Sequence, residues 1–300
     1  MELNVPELKA MLKLIDDPDN VVFDAVREKL LEWGVIAVKE LKSNIEDNSE
    51  NKLLIERTNA IVKEIEYTAT LNSFKNWVVE GGEDLLKGVY LVAKYNTNDI
   101  DFYTISQKIE KIKRDAWLQM NENLTPLEQI KVLNHIIFNI HKFTRNTIDF
   151  YSPNNSFIDK VLDNRKGNPI ALAIIYLMVG VRLGLPLYGV NLPKNFILAY
   201  VEELYDSGLE TDLENKIVSF YINPYNNGAV LTKREIDYFL KQQQIKSLDS
   251  FYTPCDNLTI VQRLVVNLIY SYEKLENHIK VHELKKFEEV FKNKLPDITY

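Results

Sequence analysis

A single cysteine, Cys255, in 300 residues excludes an internal disulfide and a multi-cysteine zinc site, and a reducing compartment suits such a chain. Ten glycines and ten prolines are few for this length. With Leu, Ile, Lys, Glu and Asn dominating, tight hairpins should be rare and helices frequent. Positive charge is also short: 36 Lys and Arg stand against 43 Asp and Glu, giving a net charge of −7. With a pI near 5.3 and no Lys/Arg stripe, general binding to phosphate backbones or anionic lipid is disfavoured. No segment approaches the run of about 18 apolar residues that spans a bilayer, and the first residues, MELNVPELKAMLKLIDDPDN, lack a basic stretch leading into an apolar one. The expectation is a cytoplasmic protein with no nucleic-acid or membrane partner. Glycine-rich phosphate loops, dinucleotide fingerprints and paired metal-binding carboxylates are missing too, so no cofactor is expected. Asp16-Asp17-Pro18-Asp19 lacks the glycine and distal glutamate of a calcium loop.

What is present, 46% hydrophobic and 26% charged residues, suffices for a sizeable core or for several small modules. Apolar residues recur at spacings of three and four from Pro6 to Leu14 and from Val21 to Trp33, which predicts a helix pair. The text LKLIDDPDNVVFDAVREKLLEWGVIAVKEL resembles a unit of a HEAT-type repeat. After the polar break NIEDNSEN at Asn44–Asn51, helices are expected over Lys52–Tyr67 and Leu71–Val79, with a turn at Gly81-Gly82. Further helices are read at Glu83–Tyr95, Tyr103–Met120 and from Pro126 to about Thr144, the last opened by Thr125 as N-cap. Short β-branched or aromatic runs at Leu187–Asn191, Asn195–Glu202 and Ile217–Asn223 read as strands. Residues 257–295 return to helix, and the text resembles a lone tetratricopeptide-type hairpin expected to pack back on the core. Three parts follow: helical residues 1–80, a core at 81–250 and a hairpin at 251–300.

Within the core, Asn168 can cap a helix whose first residue is Pro169, while Gly184 closes it and Pro186 stops its continuation. Because Ala171 to Val179 are apolar nearly all round, that helix should be buried on most sides. Before it come Pro153-Asn154-Asn155-Ser156 and Arg165-Lys166-Gly167. After it come Pro193-Lys194-Asn195-Phe196 and Ile222-Asn223-Pro224-Tyr225. This ordered string is similar to the SirB-type branch of the transglutaminase-like superfamily, from about Gly81 to the C-terminus. The resemblance implies an α+β, predominantly helical fold: a papain-like core with a central helix on a small antiparallel sheet, and helical extensions at both ends.

The resemblance also implies where chemistry would sit. Active relatives carry a cysteine at the start of the central helix, where the helix dipole favours the thiolate; here those positions are Asn168, Pro169, Ile170 and Ala171. The family's Pro-Gly-His-Phe type pattern reads Pro193-Lys194-Asn195-Phe196, which puts Asn195 at the histidine, and its Ile-Asp-Pro-Phe type pattern places Asn223 at the aspartate. An amide has no proton-accepting group of useful pKa, so Asn195 cannot serve as a general base. Asn155, Ser156, Tyr188, Phe196 and Tyr225 are candidate cleft-lining residues, although Pro-Asn-Asn-Ser is also an ordinary turn leading to a helix cap.

The four histidines, His135, His141, His278 and His282, lie in expected helices away from the motif. His278 and His282 have the spacing of metal ligands but no third ligand, so no metal is expected. Cys255 lies in a connector with no base beside it. The leading expectation is therefore a catalytically inactive transglutaminase-like protein that binds a protein or peptide partner. The alternatives are a cysteine-type hydrolase or acyltransferase with a rebuilt site, and a helical scaffold in which the core is a spacer. Self-association stays open.

Overall fold

The computed structural model describes residues 5–97, 99–201, 213, 216–292 and 294–295. Two compact units are present, residues 1–74 and residues 75–300.

In the first unit, α1 (Val5–Leu12), α2 (Asn20–Trp33) and α3 (Val35–Asp47) precede α4 (Lys52–Val79). Asp19 opens α2 by accepting from the Val21 N–H at 2.9 Å, which satisfies one of the orphan donors of a helix start. The unit's core gathers one apolar face from each helix, including Leu8, Leu12, Leu30, Leu41, Ile61 and Ile65. The expected break between Tyr67 and Leu71 is absent: α4 runs unbroken for 28 residues. The Thr70 hydroxyl donates to the Glu66 carbonyl at 2.8 Å and the Ser73 hydroxyl to the Ala69 carbonyl at 2.9 Å. These residues therefore find partners on the helix itself instead of competing with it.

The second unit begins with α5 (Leu85–Asn96), α6 (Phe102–Trp117) and α7 (Pro126–Asn134). Asp101 and Thr125 start α6 and α7 as side-chain caps, the latter in a capping box with Glu128. The helix expected to reach Thr144 ends earlier. It loosens into a π-helical turn, His135–Ile140, whose wide register continues as the His141 N–H donates to the Ile136 carbonyl. Thr144 then belongs to β1 (Thr144–Arg145), which pairs in parallel with β2 (Lys166–Gly167) around α8 (Ile158–Asn164).

The central helix α9 (Pro169–Arg182) is buried along nearly its whole length. It packs on α6, on α11 (Asn257–Lys274) and on a four-stranded antiparallel sheet of β3 (Leu187–Val190), β4 (Ile197–Val201), β5 (Val218–Asn223) and β6 (Ala229–Leu231), in that order. All five residues of β4 are buried, as expected of a strand covered on both faces. Ile197, Ala199 and Val201 pack with Ile236 and Leu240 of α10 (Lys233–Gln242), and by the two-residue period Leu198 and Tyr200 point the other way. α12 (His278–Glu289) packs against α11, and α11 in turn against α5 and α9. The fold is α+β and predominantly helical, with a central helix on a small antiparallel sheet.

The expected strand regions hold strands with slightly shorter bounds; Glu202, the last residue of one, lies outside the described residues. β1, β2, β6 and α10 were not foreseen. One polar group crosses the core: the Tyr176 hydroxyl donates to Asn134 Oδ1 at 2.9 Å, and Asn134 Nδ2 donates to the Gly228 carbonyl at 2.9 Å. Gly228 sits at φ +73, and a Cβ there would lie 1.8 Å from Asn134 Oδ1, so only glycine closes the β5–β6 turn this way.

Candidate functional site

The start of α9 is built from asparagines. Asn168 takes an extended conformation, and its Oδ1 accepts from the Ala171 N–H at 2.9 Å, while Pro169, lacking an N–H, begins the helix with one fewer orphan donor. Asn168 Nδ2 donates to Ser156 Oγ at 2.7 Å, and its backbone N–H to the Asn155 carbonyl at 3.1 Å. Asn155, only 3% exposed, accepts from Asn146 Nδ2 at 2.9 Å. Its own Nδ2 donates to the carbonyls of Asp149 at 2.7 Å and Phe150 at 3.2 Å. One hydrogen-bonded chain therefore ties the first turn of α9 to the loop that displays Phe150 and Tyr151.

Beside this helix start lies a cleft of about 350 Å³. Three groups of residues line it: Phe150 and Tyr151 of the loop with Asn168, Pro169 and Ile170; Lys194, Asn195 and Phe196; and Arg263, Asn267, Tyr270 and Ser271 from α11. Ile170, Phe196 and Arg263 are buried and form the floor, whereas Phe150, Tyr151, Lys194 and Tyr270 are exposed at the rim. Tyr151 and Tyr270 meet edge to face, with ring centroids 5.9 Å apart. Arg263 Nη1 donates to Asn191 Oδ1 at 3.2 Å, and Lys194 Nζ to Gln243 Oε1 at 3.2 Å. Lys194 occupies the left-handed region at φ 59, the position at which the resembling family pattern has glycine.

Of the residues singled out from sequence, Asn168, Pro169, Ile170, Asn195 and Phe196 line this cleft. Asn195 Oδ1 is turned to its neighbour, accepting from the Phe196 N–H at 2.9 Å. Ala171, Asn155 and Ser156 are buried beneath the surface; the last two act as the clamps described above rather than as lining. Asn223 ends β5 at the same end of the sheet as Asn195, since Leu198 pairs with Ile222. Its Oδ1 is buried without a hydrogen-bond partner among the described residues, at a cost of about 1–3 kcal/mol. Tyr225 stands apart, half-buried. Burial pushes its phenol above the ordinary value while the positive charge of Arg145 pulls the other way.

Tyr188 belongs to a different cavity, a recess of about 460 Å³ at the other end of α9, lined also by Glu83, Asp84, Met178, Val181, Arg182 and Cys255. The Lys216 ammonium lies 4.8 Å from the Tyr188 ring centroid. The Cys255 N–H donates to the Gly189 carbonyl at 2.8 Å in an isolated β-bridge. Gly189 is closely approached, since a Cβ there would lie 3.0 Å from both Ile260 and Phe196 and would push on those side chains. Burial pushes the Cys255 thiol far up from its ordinary value, and the charge of Asp256 adds to the shift. The shift leaves the thiolate scarce near neutral pH.

His141 Nε2 lies 2.9 Å from Asp115 Oδ2; burial lowers its pKa, against the opposing pull of that carboxylate. His278 and His282 are exposed on α12. No group of three or more His, Cys, Asp or Glu able to hold a metal occurs among the described residues. None of the described helices is long and apolar enough to cross a membrane. Sequence reading missed the α11 contribution, above all Arg263. The available signal was a cation inside the apolar run IVQRLVV, where packing alone would favour a hydrophobic side chain.

Residues 103–266, more than half of the chain, match the family model of the transglutaminase-like superfamily, and that span contains α9 and the whole sheet. F-box only protein 21 of Mus musculus is 31% identical over 140 residues, covering 47% of this chain and 21% of that protein. A UPF0162 protein of Xylella fastidiosa (strain 9a5c) is 27% identical over 195 residues, covering 63% of this chain and 64% of the relative. UPF0162 protein YchA of Escherichia coli (strain K12) is 25% identical over 187 residues, with 61% and 65% covered. The chain thus spans about a fifth of the F-box relative and just under two thirds of the other two. No solved structure matches it.

Proposed function

The chain belongs to the transglutaminase-like superfamily, and from that premise we propose that it is a catalytically inactive member whose cleft at the start of α9 holds a peptide segment of a protein partner. The order of its motifs favours the SirB-type branch, and its composition favours a cytoplasmic setting. The observation that carries the proposal is the content of the cleft. Among the described lining residues there is no cysteine and no histidine. Thiol catalysis in this superfamily needs a nucleophile at the helix start, a base within hydrogen-bonding reach and a group to orient the base. Here Asn168 is occupied in capping the helix, and Asn195 in bonding the next N–H.

A rebuilt cysteine site draws no support from Cys255, which lines the recess at the opposite end of α9 with its thiol kept protonated. A pocket whose floor combines Ile170 and Phe196 with Arg263, under an aromatic rim and beside a few fixed amides, is suited instead to holding an extended peptide. The test is to incubate purified protein with a mixed peptide digest and a free primary amine, then identify all products by mass spectrometry. The expected result is recovery of intact peptides, a subset of them retained on the protein, with retention lost in Asn195→Arg. Peptide cleavage or amine incorporation that disappears in Asn195→Ala would overturn the proposal.

A further inference from the structure

We infer that this cleft selects a peptide carboxylate next to an apolar side chain. The inference rests on the peptide-binding reading above and gives that cleft a ligand chemistry. Three observations carry it.

The first is the sign of the lining. In a chain of net charge −7, the described residues around the cleft include Lys194 and Arg263 and no acid. The positive end of the 14-residue helix α9 faces the same space, although Asn168 already caps one of its N–H groups. A site of one sign in a low-dielectric surface concentrates ligands of the other.

The second is the depth of Arg263. It is 5% exposed and held in place by Asn191. Its planar fork matches a carboxylate, and a charge-assisted bond of this kind is stronger than one between neutral groups. Around it, Ile170, Phe196 and the Tyr151–Tyr270 ring pair offer apolar surface to a side chain neighbouring the carboxylate.

The third is Lys194. Its backbone is held at φ 59, where glycine would be unstrained and a lysine is not. The strained position stands at the rim of this cleft, where a further cation strengthens attraction for an anion.

The carboxylate can come from an Asp or Glu side chain or from a chain terminus, and two pools of short synthetic peptides of random sequence separate these sources: one with free C-termini, the other amidated. Each is passed over immobilised wild-type protein and over Lys194→Glu and Arg263→Met variants, after circular dichroism and thermal melting show that the variants fold. Retained peptides are sequenced by mass spectrometry. Enrichment of Asp or Glu beside an apolar residue in both pools, or enrichment confined to the free-terminus pool, supports the inference with the source identified. Retention about tenfold weaker on Lys194→Glu is expected in either case, with a steep loss as salt rises. If Arg263→Met fails to fold, the exposed Lys194 variant carries the test alone. Retention of peptides without regard to carboxylates, equal on wild type and Lys194→Glu, overturns the inference and leaves the peptide cleft standing. No retention from either pool overturns both.

Discussion

At its first turn α9 borders a cleft of about 350 Å³ containing Lys194, Arg263 and no described acid; its last turns border a recess of about 460 Å³ that takes in Glu83, Asp84, Arg182 and Cys255. The two are separated by roughly 15 Å along the axis at 1.5 Å per residue. At the first end, polar side chains are fixed by hydrogen bonds running from Asn168 through Ser156 and Asn155 to the rim loop. At the second, the chain's one thiol lines the recess beside a backbone bridge from Cys255 to Gly189, with its proton held. The end where the superfamily does chemistry offers shape and positive charge, and at the end with the sulfur burial and the charge of Asp256 hold the thiol proton. Side-chain chemistry at a helix terminus therefore decides what a shared scaffold can do, since the scaffold alone does not imply a reaction.

The largest expected effect lies at the cleft end. Asn155→Ala removes three hydrogen bonds made by a buried side chain, so unfolding in urea should show a loss of about 3 kcal/mol. Peptide retention should fall with it, because Phe150 and Tyr151 lose their clamp; unchanged stability would mean that the loop is not held through Asn155.

At the recess end, Cys255 in the native protein should react with iodoacetamide at neutral pH about a hundredfold more slowly than in urea, because the thiolate is scarce in its half-buried setting. Equal rates would erase the distinction between the two ends. The same burial has a sign in stability. The unfolded chain releases the thiol proton near its ordinary value of 9.0 while the folded chain keeps it, so the folded state binds more protons above that pH. Stability should decline as pH rises past that value, and the decline should be shallower in Cys255→Ala.

The smallest effect sharpens the cleft's role. Lys194→Gly relieves a left-handed backbone and, after the greater unfolded-state entropy of glycine, should stabilise the fold by about 0.5–1 kcal/mol. Carboxylate-bearing peptides should nonetheless bind more weakly. A variant that gains stability and loses binding marks a strained position used for function; one that gains stability with binding intact would reduce Lys194 to a local irregularity.

Much of this was legible in the sequence where the signals are local. Asn168-Pro169 announced the start of α9 and Gly184 its end, since capping chemistry acts within a few residues. The long apolar run of α9 announced a helix buried all round. The superfamily read from the ordered motifs is the one whose model matches residues 103–266. What stayed hidden depends on short or distant pairings. β1, β2 and β6 are two or three residues long, too short to show alternation, and α4 looked interrupted because Thr70 and Ser73 resemble breakers until their hydroxyls bond back to the helix. Arg263 reaches the cleft from a helix that begins almost ninety residues after α9 does, a proximity that no local pattern encodes. Asn155 and Ser156 were noticed for their chemistry, but only the geometry turns them from lining into clamps.

The most direct measurement is hydrogen–deuterium exchange of the whole chain with and without the retained peptides. Protection is expected at residues 146–151, 194–196 and 263–271, with residues 83–86 and 187–189 unchanged. Protection confined to the recess, or to residues 5–47, would contradict a function seated at the start of α9.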